Sequence, residues 1–447
     1  MTVPDTPAVP AHFTMTEDEI IAKFPNRARG FDLFRKMGSP KHIVAPMVDQ
    51  SELSWRILSR RYNAHLCYTP MFHARLFHDE PKYRAEQWQT TPDERPVIVQ
   101  FCANDPDVLL KAAKLVVGEA DAVDLNLGCP QHIARRGRYG SFLMEDWTLV
   151  SRLIRTLHEN LAIPVTAKIR VFPDVGKTVE YARMVEAAGA QIITVHGRLR
   201  EQKGHKTGLA DWAKIKAVRD AVRVPVFANG NILYYEDIGR CIEATGVEGV
   251  MSAETNLYNP ALFSGKVLPS WQLAREYLEI CRDIPTKPQY IRAHLFKLFR
   301  YSLPIHTDLR QQLAASRDLD EFCQVVDDLT ARLTEDAAKD GGFDPDNVET
   351  DEHGYRKYPH WICQPALRFE HDKQNSKSKR LLNEAQADQA DQADKPSEQT
   401  DQANKPREQT DQANKPSEQT DQADKDATPD NESPEGGETK RQKIASA

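Results

Sequence analysis

The stretch Ala122-Val123-Asp124-Leu125-Asn126-Leu127-Gly128-Cys129-Pro130 sets the pattern of the chain: a short apolar run that ends on polar residues and breaks at a turn. Seven further runs of this kind lie around it, at His42-Val48, His65-Thr69, Val97-Cys102, Pro164-Val171, Ile192-His196, Val224-Ala228 and Gly249-Ala253. Amphipathic segments follow several of them. Ser51-Arg61 opens with a Ser-x-x-Ser start, Asp105-Val117 has Pro106 at its first helical position, and Val179-Ala188 stops at Gly189. Alternating strands and helices describe βα units on a parallel sheet. Eight of them over about 210 residues predict a (β/α)8 TIM barrel, for which about 250 residues is usual. A doubly wound open sheet competes, but no Gly-x-Gly-x-x-Gly follows the first run, where its phosphate loop would stand.

The chain has 447 residues, and its end is of another composition. From about Glu384 onward aromatics disappear, and a ten-residue phrase beginning at Asp391 returns at Asp401 and Asp411. Such a tail cannot bury a core and is expected to be disordered. Residues 381–447 hold 16 acidic and 8 basic side chains, against a whole-chain net charge of −7, so the remainder is close to +1. The acidity belongs to the tail, and a polyanionic partner stays open for the body.

Seven scattered cysteines without a Cys-x-x-Cys pair argue against a disulfide framework and against a structural zinc site, so no metal is expected. No basic start leads into an apolar run, and no stretch approaches about 18 apolar residues. The expected setting is intracellular, cytoplasmic or nuclear, without membrane attachment or secretion. Lys377-Ser378-Lys379-Arg380 and Lys440-Arg441-Gln442-Lys443 read either as import signals or as ordinary solvated charge.

The expected organisation is an N-terminal extension over 1–40, the barrel over 41–268, a helical domain with its following segment over 269–370, and the tail over 371–447. In the helical part, Ile291, Leu295, Leu298 and Phe299 share one face, with Arg292 and Lys297 elsewhere.

In a barrel, the working residues project from the C-terminal ends of the strands. Those ends carry Gln100, then Asn126 with Cys129 just beyond, then Lys168 and Arg170, then His196-Gly197-Arg198, then Asn229-Gly230-Asn231. An ammonium inside the strand Val165-Thr166-Ala167-Lys168-Ile169 needs a partner, either a salt bridge or an anionic ligand such as a reduced flavin ring. Asn229-Gly230-Asn231 reads as a tight turn or as a phosphate-binding loop. Cys129 is by itself a small buried hydrophobe; its place after a strand, near Arg135, Arg136 and Arg138, raises it to a reactive group. Cations favour its thiolate, whereas a general acid needs the thiol.

On these residues the chain resembles the tRNA-dihydrouridine synthases, and within them the eukaryotic branch acting on D-loop positions 16 and 17. The resemblance rests on Ala45-Pro46-Met47-Val48-Asp49, Val99-Gln100-Phe101-Cys102, Asp124 through Gln131, Ala167-Lys168-Ile169-Arg170, Val195-His196-Gly197-Arg198 and Asn229-Gly230-Asn231, in that order. It implies a barrel holding FMN, with NADPH or NADH as reductant, that adds hydride to C6 of a uracil in tRNA while Cys129 protonates C5. Asn126 would lie beside the base. Pro46, Met47 and Val48 would line the isoalloxazine, Gln100 and Lys168 would bond its polar edge, and His196 would complete the ring contacts. Asn229, Gly230 and Asn231 would hold the phosphate end. Many relatives carry Gly-Arg after the last strand. Ser252-Ala253-Glu254-Thr255 stands here instead, so backbone N–H groups of Ala253 and Glu254 are the expected contacts.

The loop Arg135-Arg136-Gly137-Arg138-Tyr139 offers cations and an aromatic for RNA phosphate contact and stacking. Arg170, Arg198, Arg292, Lys297 and Arg300 are placed with it on the RNA side. Two other classes compete: an FMN-barrel reductase of a small molecule, similar to dihydroorotate dehydrogenases, and a non-catalytic RNA-binding homologue. Cationic helices and the Arg135–Arg138 loop speak against the first, and the joint presence of Cys129, Lys168 and His196 against the second.

Overall fold

The computed structural model describes residues 14–367. The repeat tail and both short basic runs lie outside them. Eight parallel strands close into a barrel: β1 (His42–Val44), β2 (Leu66–Tyr68), β3 (Val97–Cys102), β4 (Ala122–Leu127), β5 (Val165–Arg170), β6 (Ile193–His196), β7 (Val226–Asn229) and β8 (Gly249–Ser252). Each pairs with the next, and β8 pairs with β1 through His42↔Val250 and Val44↔Ser252. A two-residue strand, Phe72–His73, runs beside β3. All eight apolar runs of the sequence are strands, and the chain is a (β/α)8 barrel.

Around it lie α1 (Leu53–Arg61), α2 (Pro106–Lys114), α3 (Trp147–Asn160), α4 (Val175–Ala187), α5 (Trp212–Ala221) and α6 (Glu236–Thr245). Aspartates start four of them. The side chains of Asp105, Asp146, Asp174 and Asp211 accept from the first free N–H groups of α2, α3, α4 and α5, which otherwise have no intrahelical partner. The Ser-x-x-Ser start of α1 behaves differently. Glu52 occupies the cap position without a side-chain cap bond, and the Ser51 hydroxyl instead binds the backbone of Met47.

The bottom of the barrel is closed by a part of the chain that the sequence left as an extension. A short helix, Gly30–Lys36, places Leu33 and, just past its end, Met37 against Ile43, Leu66, Ile98, Ala122, Ile192 and Phe227. Burying each of these two side chains contributes roughly 1.5–3 kcal/mol. Arg27 ties the same segment to α3 by donating to the carbonyls of His158 and Leu161.

After the barrel come α7 (Ser270–Asp283), α8 (Pro288–Leu298), α9 (Thr307–Ala315) and α10 (Leu319–Lys339). They share a core with α1: Trp55, Leu58 and Tyr62 pack with Leu273, Tyr277, Leu295 and Phe322. Ile291, Leu295, Leu298 and Phe299 are all buried, as their spacing requires. Beyond α10 the chain forms a strap that returns to the barrel. Tyr301 Oη holds the Pro365 carbonyl at 2.8 Å, and Arg356 pairs with Glu236 at 3.0 Å and donates its N–H to Tyr234. No helix among the described residues is long and apolar enough to cross a membrane.

Candidate active site

Strand register sorts the polar residues of the mouth into rows. Gln100, Asp124 and Thr166 are adjacent across β3, β4 and β5; Asn126, Lys168 and Thr194 form the next row; Arg170, His196 and Asn229 form the one above. The lowest row begins a relay. Thr166 donates to Asp124 Oδ1 at 2.6 Å and Gln100 Nε2 donates to Asp124 Oδ2 at 2.8 Å. Asn126 Nδ2 then donates to Gln100 Oε1 at 2.8 Å, leaving Asn126 Oδ1 to accept from the backbone N–H groups of Gly128 and Cys129. Asp124 is fully buried, and burial pushes its carboxyl up to about 6, against the opposing pull of Thr166, Gln100 and Lys168.

The polarity of this chain follows from its end. An ionised carboxylate only accepts, so it orients the Gln100 amide, which orients Asn126, which presents an oxygen to the Cys129 loop. The loop is fixed from its other side as well. Three successive carbonyls each have a donor: Gly128 from Arg170 Nε at 2.7 Å, Cys129 from the N–H and hydroxyl of Ser141, and Pro130 from Lys203 Nζ at 2.6 Å. Gly140 has φ +65°, and a Cβ there would come within 2.8 Å of the Cys129 carbonyl oxygen, so only glycine permits the approach. Cys129 itself is half-buried. All seven cysteines are free.

Lys168 is buried, among the described residues no carboxylate is within ion-pair distance of it, and its Nζ donates to Asn229 Oδ1 at 2.9 Å. Burial, helped by the charge of Arg170, pushes its ammonium down to about 7; Asp124 and Cys129 oppose this. Burial and the neighbouring Lys168, Arg170 and Arg198 hold His196 well below the ordinary histidine range, so its imidazole is neutral. Arg198 Nη1 lies 3.1 Å from His196 Nε2. Since a guanidinium only donates, Nε2 is the acceptor and the ring proton sits on Nδ1.

Beside this row opens a cleft of about 240 Å³, bordered by Arg198, the turn from Asn229 to Asn231, and Ser252 to Thr255. The turn is left-handed at both Gly230 (φ +114°) and Asn231 (φ +62°). A Cβ on Gly230 would meet that of Ala210 at 2.7 Å. Asn231 Oδ1 accepts from Arg198 Nη2 at 3.0 Å and from Ala210 N–H. Tyr355 and Ala366 of the strap complete the wall.

The structure thus brings Gln100, Asn126, Cys129, Lys168, His196 and Asn229 to one mouth. Pro46 and Met47 are half-buried at the end of β1, while Val48 is 54% exposed. Ala253 and Glu254 border the cleft. Several expected RNA contacts sit elsewhere. Arg170 is buried and spent on the carbonyls of Gly128 and Leu199, so it positions the cysteine loop. Arg198 borders the cleft, its guanidinium set against the Gly208 carbonyl, His196 Nε2 and Asn231 Oδ1. Arg292 is engaged with the Ser316 carbonyl and the Phe322 ring, and half-buried Lys297 with the Ala293 carbonyl. Tyr139 is buried against Cys102 and Ala134 and offers no face for stacking. Arg135, Arg136, Arg138 and Arg300 are exposed. Sequence reasoning missed Asp124 and Thr166; the signal was a carboxylate two residues before Asn126, hence on the same face of an otherwise apolar strand.

Residues 43–340 match the family described as "Dihydrouridine synthase (Dus)". The chain is 52% identical over 368 residues to the Rattus norvegicus protein named tRNA-dihydrouridine(16/17) synthase [NAD(P)(+)]-like, covering 80% of this chain and 82% of that one. It is 50% identical over 365 residues to the Saccharomyces cerevisiae protein named tRNA-dihydrouridine(16/17) synthase [NAD(P)(+)], covering 76% and 86%. Against the Mus musculus protein named tRNA-dihydrouridine(20a/20b) synthase [NAD(P)+]-like, identity falls to 34% over 291 residues, covering 64% and 87%.

Proposed function

The chain belongs to the dihydrouridine synthase family and is an oxidoreductase, and on that premise we propose that it reduces uridine to 5,6-dihydrouridine at positions 16 and 17 of tRNA, with Cys129 as the acid. The observation that carries this reading is the pinned Cys129 loop: a thiol set on the barrel mouth by a four-residue relay and three carbonyl clamps. The choice of positions is supported by the higher identity to relatives named for 16/17 than to one named for 20a/20b.

The mouth fits FMN. A buried ammonium whose hydrogen-bond partner is the neutral Asn229 amide suits an electron-rich ring edge, and a cleft bordered by Arg198 and a left-handed Asn-Gly-Asn turn suits a phosphate. Lys168, Gln100 and His196 would hold the ring, with Pro46, Met47 and Val48 along it. Asn229, Gly230 and Asn231 would hold the phosphate end with Ala253 and Glu254. The guanidinium missing after β8 is replaced from β6 by Arg198. A flavin held by these residues would supply, once reduced by NADPH or NADH, the hydride for C6 of the uracil.

The rest is work for this chain. Hydride addition at C6 leaves an enolate through C4, whose C5 needs a proton at once. Cys129 Sγ gives that proton, and the thiolate left behind is within electrostatic reach of Lys168 and Arg170. A positioned acid of this kind contributes about 10²- to 10⁴-fold. Asn126, the last member of the relay, holds the cysteine loop through its Oδ1 and would lie beside the base. A stacked base cannot reach the mouth, so the uridine is flipped into it. Exposed Arg135, Arg136 and Arg138 beside the mouth, and Arg300 on the helical region, take tRNA phosphates. Nucleoside analysis of tRNA from cells lacking the protein tests the reading: dihydrouridine is lost at 16 and 17 only, and loss at other positions, or no loss, contradicts it.

A further inference from the structure

Outside the residues of the mouth, the strap meets the helical region at a cluster of three side chains. His306 caps the start of α9, Asp336 lies on the last turns of α10, and His360 belongs to the strap. His306 Nε2 is 3.0 Å and His360 Nε2 is 3.2 Å from the same carboxylate oxygen, Asp336 Oδ2. Among the described residues this is the one group of three or more histidine, cysteine, aspartate or glutamate side chains whose ligand atoms all lie within 4.8 Å of one another. The side chains are 11%, 21% and 23% exposed, so the cluster is reachable from solvent.

We propose that His306, Asp336 and His360 form a divalent transition-metal site of the zinc class, which staples the strap to the helical region. Zinc takes imidazole nitrogen at about 2.0–2.1 Å and carboxylate oxygen at about 2.0–2.2 Å, so tetrahedral ligands stand about 3.3 Å apart. The two nitrogen–oxygen separations, 3.0 and 3.2 Å, are close to that value, and all three ligand atoms lie within 4.8 Å of one another. Both imidazoles direct Nε2 to the same carboxylate oxygen, so one ligand atom from each of the three side chains is already gathered in one small volume. Imidazole with carboxylate suits zinc and its neighbours rather than magnesium or calcium. Around the cluster, Ser302 Oγ donates to the His360 backbone carbonyl at 2.8 Å and fixes that stretch of the strap, while Lys339 Nζ lies 3.6 Å from the other Asp336 oxygen.

The location gives the site a consequence. His360 is followed directly by Trp361, Ile362 and Cys363, which dock on the helical region, and the strap on either side contributes Tyr355 and Ala366 to the cleft wall. A metal here links the helical region to the cleft through the strap. The ligands are 30 and 24 residues apart in sequence, beyond any short-spacing rule, which is why a reading based on Cys-x-x-Cys patterns expects no metal.

The test uses the untagged full chain, titrated with Zn²⁺ and separately with Co²⁺ as a visible probe, compared with His306→Ala and His360→Ala. One Zn²⁺ per chain is expected, with affinity falling in each variant by more than the 10- to 100-fold that loss of an outer-shell partner typically costs. Bound Co²⁺ should show tetrahedral d–d bands without a thiolate charge-transfer band. Zinc uptake equal in wild type and both variants, no uptake by wild type, or a thiolate band each overturns the site. The wild-type cobalt spectrum decides the matter even if a variant fails to fold.

Discussion

Lys168 on β5 donates from Nζ to Oδ1 of Asn229 on β7, 2.9 Å away, passing over β6. This bond joins the two halves of the mouth, the strand that faces the Cys129 loop and the strand that opens the cleft. Its donor is an ammonium held down to about 7, chiefly by burial, from an ordinary value of 10.5. Between those two pH values the unfolded chain binds more protons at this position than the folded one, so the contribution of Lys168 to stability rises with pH across that window and its penalty is complete below about 7.

Lys168→Met removes that slope. In urea denaturation of the flavin-free protein, the variant is expected to gain most on wild type at pH 7 and to lose the advantage toward pH 10. A difference that does not change with pH means that Lys168 does not titrate in this range.

Asp124→Leu keeps the bulk at this position and removes both acceptors of the relay. The Thr166 hydroxyl and Gln100 Nε2 lose their partner, and the Gln100 amide is no longer held with its oxygen toward Asn126 Nδ2, which in turn frees the Asn126 oxygen that accepts from Gly128 and Cys129. Turnover on unmodified tRNA should fall about 10- to 100-fold, a part of what the positioned acid contributes, with flavin retained. Unchanged turnover would show that the relay does not set Cys129.

Arg198→Ala should weaken FMN binding about tenfold to a hundredfold, since a hydrogen bond to a charged group contributes about 1.5–3 kcal/mol. Flavin fluorescence titration measures it. An unaffected affinity would move the phosphate away from the cleft that Arg198 borders.

Much of this was legible in the sequence, for local reasons. Runs such as Val97–Cys102 and Ala122–Leu127 begin and end where their apolar period does, and turn residues such as Gly128-Cys129-Pro130 mark which ends are the mouth. What could not be read depends on the direction of a side chain in three dimensions. Arg170 stands two residues after Lys168 and looks like a second cation for an anionic partner, but it bends back onto the Gly128 carbonyl. Tyr139 follows three arginines and looks like a stacking platform, but it is buried beside Cys102. The helix that plugs the barrel bottom and the strap behind the cleft pair segments that are remote in sequence, and no local spacing announces them.

Arg135 and Arg136 remain exposed in the structure. Replacing both by Ala is expected to weaken tRNA binding uniformly and to make the dependence of log affinity on log salt shallower by about 1.4–1.8, the counterion release of two phosphates. Equal affinity and slope in filter binding at several salt concentrations would take RNA contact away from this loop.

The central claim is that Cys129 gives the proton. Stopped-flow reduction by NADPH, followed by product analysis on unmodified tRNA, separates the two half-reactions in Cys129→Ala. Flavin binding and its reduction should stay at wild-type rates while dihydrouridine formation falls by at least about 100-fold, the lower range of general acid catalysis. Dihydrouridine formed at the wild-type rate by this variant would remove Cys129 from the reaction and contradict the account.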